Sequence, residues 1–259
     1  MWSKVLTLPE SIGILNDFYN SDTYITNVRG GLVRGHSTGT ITGNQYVRNN
    51  AGQILIDPAT GLPQNNGAVN FIIGDRTPDF TLGTLNNIKY KNFSLSFLWD
   101  LKVGGDVYNG TDRFLTPLGK SARTNDRTTP IVVNGVLNDG QQNTANPTKN
   151  TLVIIPYFTN GYYSLPDEEY IEHDVNWLRL RDVTLNYRLS ETVLRKIKGF
   201  KSLSFFVTGN DLILFTNYRG ADPAVNANNP ASSGVGGYGL DYGSAPTPLS
   251  LSFGLRANF

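Results

Sequence analysis

The sequence predicts an all-β fold, namely the C-terminal strands, about five or six, of a large antiparallel transmembrane β-barrel with long extracellular loops. Three observations predict it. The first is the end of the chain. Leu249, Leu251, Phe253, Leu255, Ala257 and Phe259 alternate with Ser250, Ser252, Gly254, Arg256 and Asn258. A membrane-spanning strand needs about 9–11 residues, with lipid-facing and lumen-facing side chains alternating. A terminal strand of a soluble sandwich alternates in the same way. The second is composition. Of 259 residues, 17% are charged, 39% hydrophobic and 11% aromatic, and 27 are Gly, which is a β-and-loop composition. The third is that short and long connections alternate along the chain.

Composition also excludes function classes. A net charge of +1 without a basic cluster of the phosphate-tracking kind gives no sign of nucleic-acid binding. The absence of cysteine excludes disulfides, Cys-ligated zinc and thiol catalysis. Met1–Leu8 lacks the basic and apolar regions of a signal peptide. No apolar run approaches the roughly 18 residues of a transmembrane helix.

The elements follow in order. Met1–Pro9 reads as the end of one earlier strand, on a weak pattern of Val5, Leu6 and Leu8. Leu82–Tyr90 is a strand, Lys91-Asn92 a tight turn, and Phe93–Trp99 the return strand, with Phe93, Leu95, Phe97 and Trp99 on one face. Lys102–Asp174 is a long polar connection, too long for most compact domains. Trp177–Leu189 is a strand whose apolar phase switches from Leu178 and Leu180 to Val183, Leu185 and Tyr187. The switch at Arg181-Asp182 predicts a bulge. Ser190–Lys198 reads as a short helix capped by Ser190 and stopped by Gly199. Lys201–Thr216 is the next strand, with Gly209 marking a kink. Tyr218–Pro248 is a second long loop, whose segment Gly234–Gly239 reads as a mobile extracellular loop, and the final strand follows. Both short connections fall on one side and both long ones on the other. Outer-membrane barrels have short periplasmic turns and longer extracellular loops, which puts the C-terminus on the periplasmic side. Five or six strands do not close a barrel, and open edges are not tolerated in lipid. The expectation is that residues 1–259 are the C-terminal part of a larger barrel.

Several blocks resemble a known family. IGDRTPDF (Ile73–Phe80) and the following LGTLNNIKYKNFSLSFLWD resemble a stretch of SusC/RagA-type TonB-dependent transporters. The resemblance continues through GGDVYN (Gly104–Asn109), the block Trp177–Asn226, and GLDYGSAPTPLSLSFGLRANF (Gly239–Phe259). YVRNNAGQILIDPATGLP (Tyr46–Pro63) is similar to a loop of the same family. The resemblance implies a large barrel with an N-terminal plug in the outer membrane of a Gram-negative, Bacteroidota-like cell. Such transporters import glycan or peptide fragments, powered through TonB, beneath a SusD-like surface lipoprotein. Plug, TonB box and early strands are absent from residues 1–259. The final strand matches the barrel-assembly signal at Ser252, Gly254, Ala257 and Phe259, with Ala257 smaller than usual. The expected partners are therefore the SusD-like lipoprotein, TonB through the missing N-terminal part, the barrel-assembly machinery, outer-membrane lipid, and an oligosaccharide or peptide substrate.

Candidate site residues are few. Tyr108, Tyr157, Phe158, Tyr162, Tyr163, Tyr218, Tyr238 and Tyr242 are aromatics of the outer loops. Aromatic faces stack on sugar rings, and Tyr108, Tyr162, Tyr218 and Tyr242 are the expected substrate contacts. Glu168, Glu169, Glu172, His173 and Asp174 form an acidic cluster, read as a solvated loop or as salt bridges to Arg179 and Arg181 rather than a metal site. Asp57 lies in a loop with too few carboxylates for calcium. No nucleophile motif or phosphate loop occurs. No cofactor, metal or catalytic residue is expected, and the chain reads as a non-enzyme. The alternative is a non-transporting extracellular β-rich binding or adhesin module. A hydrolase would need an acid/base pair that the sequence does not offer.

Overall fold

A computed structural model describes residues 3–7, 18–20, 27–197, 199–224 and 237–259. Its centre is a five-stranded antiparallel sheet, the wall, in which strands follow chain order. We label these strands β1 (Phe80–Tyr90), β2 (Phe93–Val103), β3 (Trp177–Arg188), β4 (Ser202–Thr216) and β5 (Ser250–Asn258). At about 3.3 Å per residue and a barrel tilt, strands of this length cross an apolar band about 25 Å tall.

The register resolves the wall into two faces, because successive side chains of a strand point to opposite sides. On one face, Leu255 lies opposite Phe205, which lies opposite Tyr187, then Phe93, then Tyr90. A second row runs Phe253, Val207, Leu185, Leu95, Ile88. The other face carries Arg256, Ser204 and Arg188, and further along Ser252, Thr208, Thr184 and Ser96. The apolar face is bare: Phe253 is 86% exposed, and Leu249, Leu251, Leu255 and Phe259 are exposed with it. Aromatics border it at both ends. Phe93 and Tyr187 pack at 4.6 Å and Phe200 and Phe259 at 4.8 Å near the turns, while Phe80 and Phe215 stand at the far end. β1 departs from this pattern, with Thr84 and Asn86 on the apolar face and Leu85 on the polar one.

The expected bulge is present. Leu180 and Asp182 face Trp99 and Leu98, consecutive residues of β2, which leaves Arg181 unpaired. Across β4 the same two residues face Ile213 and Asn210, so the irregularity there is Asp211-Leu212 rather than Gly209. Gly209 makes room instead, since a Cβ there would stand 2.8 Å from both Leu212 Cδ atoms.

Connections differ at the two ends. At the turn end, β1 and β2 are joined through Lys91-Asn92, with Lys91 at φ 50°. β3 and β4 are joined by a segment whose helix spans only Glu191–Leu194. Ser190 precedes it but its side chain makes no capping bond, and Gly199 follows at φ 99°. Lys198 lies outside the described residues. The remaining long segments all leave from the opposite end of the wall, the loop end.

These long segments build an outer layer of short strands joined by irregular chain. A sheet of Phe18–Asn20, Arg29–Val33, Thr40–Tyr46 and Asn65–Asp75 packs beside a small sheet in which Val107–Asn109 is flanked by Ile171–Glu172 and Leu240–Asp241. Val28, Ile41, Ile73, Tyr108, Tyr170, Ile171 and Leu240 form its buried core. The expected strand at Met1–Pro9 is replaced by a contact in this layer. Val5 exchanges backbone bonds of 2.8 Å with Gly35 and His36, while Met1, Trp2, Leu8 and Pro9 lie outside the described residues. Of Gly234–Gly239, residues 234–236 lie outside the described residues. Gly239 is tied to the small sheet: its carbonyl accepts a 2.9 Å bond from the Tyr108 amide. Gly239 sits at φ 72°, against the Arg76 side chain, where a Cβ would stand 2.8 Å from Arg76 Cγ.

Candidate functional site: the polar face and the outer cleft

The bulge builds the centre of the polar face. It turns both Arg179 and Arg181 toward a set of aspartates. Arg181 grips Asp100 through Nε at 2.9 Å and Nη2 at 2.8 Å, and its Nη1 stands 3.6 Å from Asp211. Arg179, 3% exposed at its side chain, donates to Asp211 at 3.3 Å and to Asp222. Asp211 holds a left-handed backbone at φ 50°, a conformation costing about 1–2 kcal/mol for a residue with a Cβ. The two arginines give that conformation its return.

Asp222 is the junction between the wall and the loop that follows β4. Besides Arg179 it accepts the Ala224 amide at 2.9 Å and the Thr247 amide at 3.0 Å. Burial works to raise its pKa, but those amides and the guanidinium prevail and hold the carboxyl below the ordinary range. One carboxylate thus ties together both limbs of a loop and the wall.

The acidic cluster of the outer layer is an ion-pair network, as expected, but with other partners. Glu168 pairs with Arg48 at 3.0 Å, Glu169 with Arg123 at 3.0 Å, and Glu172 with Arg219 at 3.3 Å. His173 lies 3.1 Å from Asp106. Arg179 and Arg181 are taken by the wall aspartates instead, because the bulge aims them inward. Among the described residues no cluster of His, Asp and Glu is arranged to hold a metal ion. Asp57 closes its own loop, accepting the Ala59 amide at 2.8 Å.

A cleft of about 430 Å³ opens in the outer layer, lined by Tyr162, Tyr163, Thr129, Asn134, Arg123 and Glu169 among others. The Tyr162 and Tyr163 rings meet edge-to-face at 5.1 Å. Arg123 is held by Asp112 at 2.6 Å as well as by Glu169, so the charges at the floor are already paired. The space falls within the usual range for small-molecule sites.

Comparison with known proteins completes the description. No protein-family profile matches the chain. TonB-dependent receptor P3 of Formosa agariphila is 33% identical over 189 residues, covering 73% of this chain and 17% of that protein. The chain belongs to the TonB-dependent receptors. TonB-dependent receptor P26 of the same organism is 27% identical over 251 residues, covering 88% of this chain and 23% of its own length. The chain thus spans about a fifth of the length of the curated relatives it matches. Solved structures of the RagAB peptide importer share the fold. One, in the open-open state, covers 99% of this chain and 25% of its own at 16% identity, with a TM-score of 0.54. Another covers 94% and 25% at 17% identity, with a TM-score of 0.57.

In this receptor the apolar face of the wall is therefore the lipid face and the polar face the lumenal one. The aromatic residues expected at the substrate separate into two kinds. Tyr108 is 0% exposed, and its hydroxyl reaches Asp167 at 3.2 Å. Tyr218 is buried, and its hydroxyl donates to Asp241 at 2.7 Å. Burial and Asp241 push the Tyr218 hydroxyl far above its ordinary pKa, so it stays a donor. Both rings are core posts of the receptor with no face open to a ligand, because the packed layer needs large side chains with a polar tip. Tyr162 lines the cleft, and Tyr242 is exposed on the surface against Phe114 at 4.8 Å. Of the residues expected to form an assembly signal, Ser252 and Gly254 lie on the polar face, while Ala257 follows the phase of the apolar one. Arg179 was expected to form salt bridges, but its partners Asp211 and Asp222 escaped sequence reading, although the phase switch at Arg181-Asp182 marked their place.

Proposed function

We propose that this chain forms the closing wall and outer loops of an outer-membrane importer that takes up glycan or peptide fragments. Energy enters from TonB through the part of the receptor outside residues 1–259, and a SusD-like surface lipoprotein closes over the loop end. The turn end and the C-terminus face the periplasm, and the barrel-assembly machinery recognises β5. The observation that carries the reading is the bare apolar face, bordered by aromatics at both ends of strands about one bilayer long. An adhesin module would cover such a face with a second sheet or a helix.

Tyr162 and Tyr242 are the proposed substrate contacts. Tyr162→Ala is expected to weaken substrate binding about tenfold, the worth of one stacked ring. Residues 1–259 hold no cysteine, so a thiol introduced among them reports their orientation when compared with the unsubstituted receptor. In whole cells a membrane-impermeant maleimide is expected to label Asp139→Cys at the loop end and to spare Lys91→Cys at the turn end. The reverse pattern would invert the topology. Uptake of fluorescent oligosaccharides and oligopeptides, with and without TonB, then tests transport. Surface binding of either probe without TonB-dependent entry would favour the adhesin reading.

A further inference from the structure

The outer cleft holds one charge that no ion pair consumes. The charged residues of its lining are Arg123, Asp126 and Glu169, one basic against two acidic. Arg123 and Glu169 pair with each other at 3.0 Å, and Asp112 holds the same guanidinium at 2.6 Å. Asp126 stands apart. Its carboxylate accepts the Thr128 amide at 3.2 Å and the Thr129 amide at 3.1 Å, and among the described residues it forms no ion pair. The Thr129 hydroxyl and those two amides hold its carboxyl below the ordinary range, so it is ionised at neutral pH. Arg127, its neighbour in the chain, lies over the Tyr157 ring at 4.5 Å instead.

The rings beside this carboxylate are short of cations too. Other tyrosines of the outer layer carry a guanidinium: Arg48 lies over Tyr46 at 5.9 Å, Arg127 over Tyr157 at 4.5 Å and Arg123 over Tyr170 at 5.1 Å. Among the described residues no Lys or Arg covers Tyr162 or Tyr163. Their rings meet at 5.1 Å with planes 76° apart, which makes a corner of two π-systems in the cleft. Asp126 belongs to the same corner. Burial first, and the negative charge of Asp126 next, push the Tyr163 hydroxyl above its ordinary pKa, against an opposing pull from Arg127.

Ring faces attract cations through their quadrupole, and angled rings are the arrangement that recognises ammonium groups. A neighbouring carboxylate adds a counter-ion. We infer that the cleft selects fragments carrying a protonated amine, which lies in the Tyr162–Tyr163 corner with Asp126 as its counter-ion. The inference rests on the import reading in taking the occupant to be an imported fragment. A neutral group gains the ring faces alone. A carboxylate meets the uncompensated charge of Asp126 and is rejected, so the same residue supplies attraction for one class and repulsion for the other. A lysine side chain and an amino sugar offer the same protonated amine, and the test has an arm for each.

Binding to the purified full-length receptor separates charge from size when each amine is matched with its N-acetylated form. One arm compares an N-capped Gly-Lys-Gly tripeptide with its acetyl-lysine counterpart. The other compares a glucosamine trisaccharide with the N-acetylglucosamine trisaccharide. At about pH 6 both amines carry their proton. In at least one arm the amine is expected to bind about tenfold more tightly than its acetylated form, the combined worth of one cation–π contact and one exposed ion pair. The arm that shows it names the source. Asp126→Asn keeps an acceptor for the two threonine amides and is expected to bring that ratio close to one. Tyr163→Leu should reduce it, with the folding of both variants followed by heat-modifiable gel mobility. Equal binding of amine and acetylated form in both arms, tighter binding of the acetylated forms, binding of none of the four probes, or a ratio that survives Asp126→Asn overturns the proposal. Failure of the import reading shows separately, as amine-selective binding without TonB-dependent entry.

Discussion

Gly254 shows how much one residue carries at the closing strand. It lies directly opposite Phe206, and a Cβ there would stand 2.8 Å from Phe206 Cε1. An aromatic ring laid over a cross-strand glycine fills the gap that the missing side chain leaves in the pleat. Gly254→Ala is expected to destabilise the barrel by about 1–3 kcal/mol, and the added Phe206→Ala change to recover part of that loss, measured by denaturant unfolding in liposomes. Asp222 is the second such residue. Its depressed pKa means that its contribution to stability is complete above the ordinary carboxylate range and is lost as pH falls below that range through the folded-state value. At neutral pH, Asp222→Asn is expected to cost about 3 kcal/mol, because it leaves the buried Arg179 with one carboxylate fewer. Hydrogen exchange at the Thr247 and Ala224 amides should show that loss at pH 7 in the variant and only in acid in the wild type.

At the scale of elements, the bulge at Arg181 is the feature on which the wall depends. A shift of one residue exchanges the two faces of a strand. Were Arg181 drawn into the pairing opposite Trp99, Leu178 and Leu180 would turn to the lumen and Trp177 and Arg179 to lipid; deletion of Arg181 instead joins Leu180 directly to Asp182 and keeps every residue on its present face. The deletion variant is therefore expected to keep the heat-modifiable folded form. Arg181→Ala keeps the extra residue and removes only a partly exposed pair, so it should cost about 1 kcal/mol or less. The two short connections behave differently from each other. Lys91-Asn92 was legible because two apolar runs end on either side of it. The helix at Ser190–Lys198 was overestimated. Its four residues are one turn, and a segment so short has too few intrahelical bonds to propagate.

At the scale of the molecule, the wall sorts substitutions by face. Phe253→Arg places a guanidinium in lipid and is expected to cost about 2–4 kcal/mol, while Ser252→Arg on the neighbouring lumenal position should cost close to nothing. Unfolding of both variants in the same liposomes checks the difference. The outer layer sorts them by packing instead. Tyr108 and Tyr218 differ from Tyr162 in burial and in the carboxylate that each hydroxyl meets, and chain position gives no hint of either. Their isolated positions within long polar segments carry no period, so only the assembled core separates a packed ring from an available one.

The five strands of the wall, their phase outside β1, the bulge and the end of the wall at which each connection lies were written in local alternation, because a two-sided sheet between lipid and water imposes that pattern residue by residue. The packed outer layer, the partners of the acidic cluster and the Asp222 junction were decided only in three dimensions. Each joins residues from segments far apart in the chain, and a contact across that separation leaves no periodic trace along the backbone.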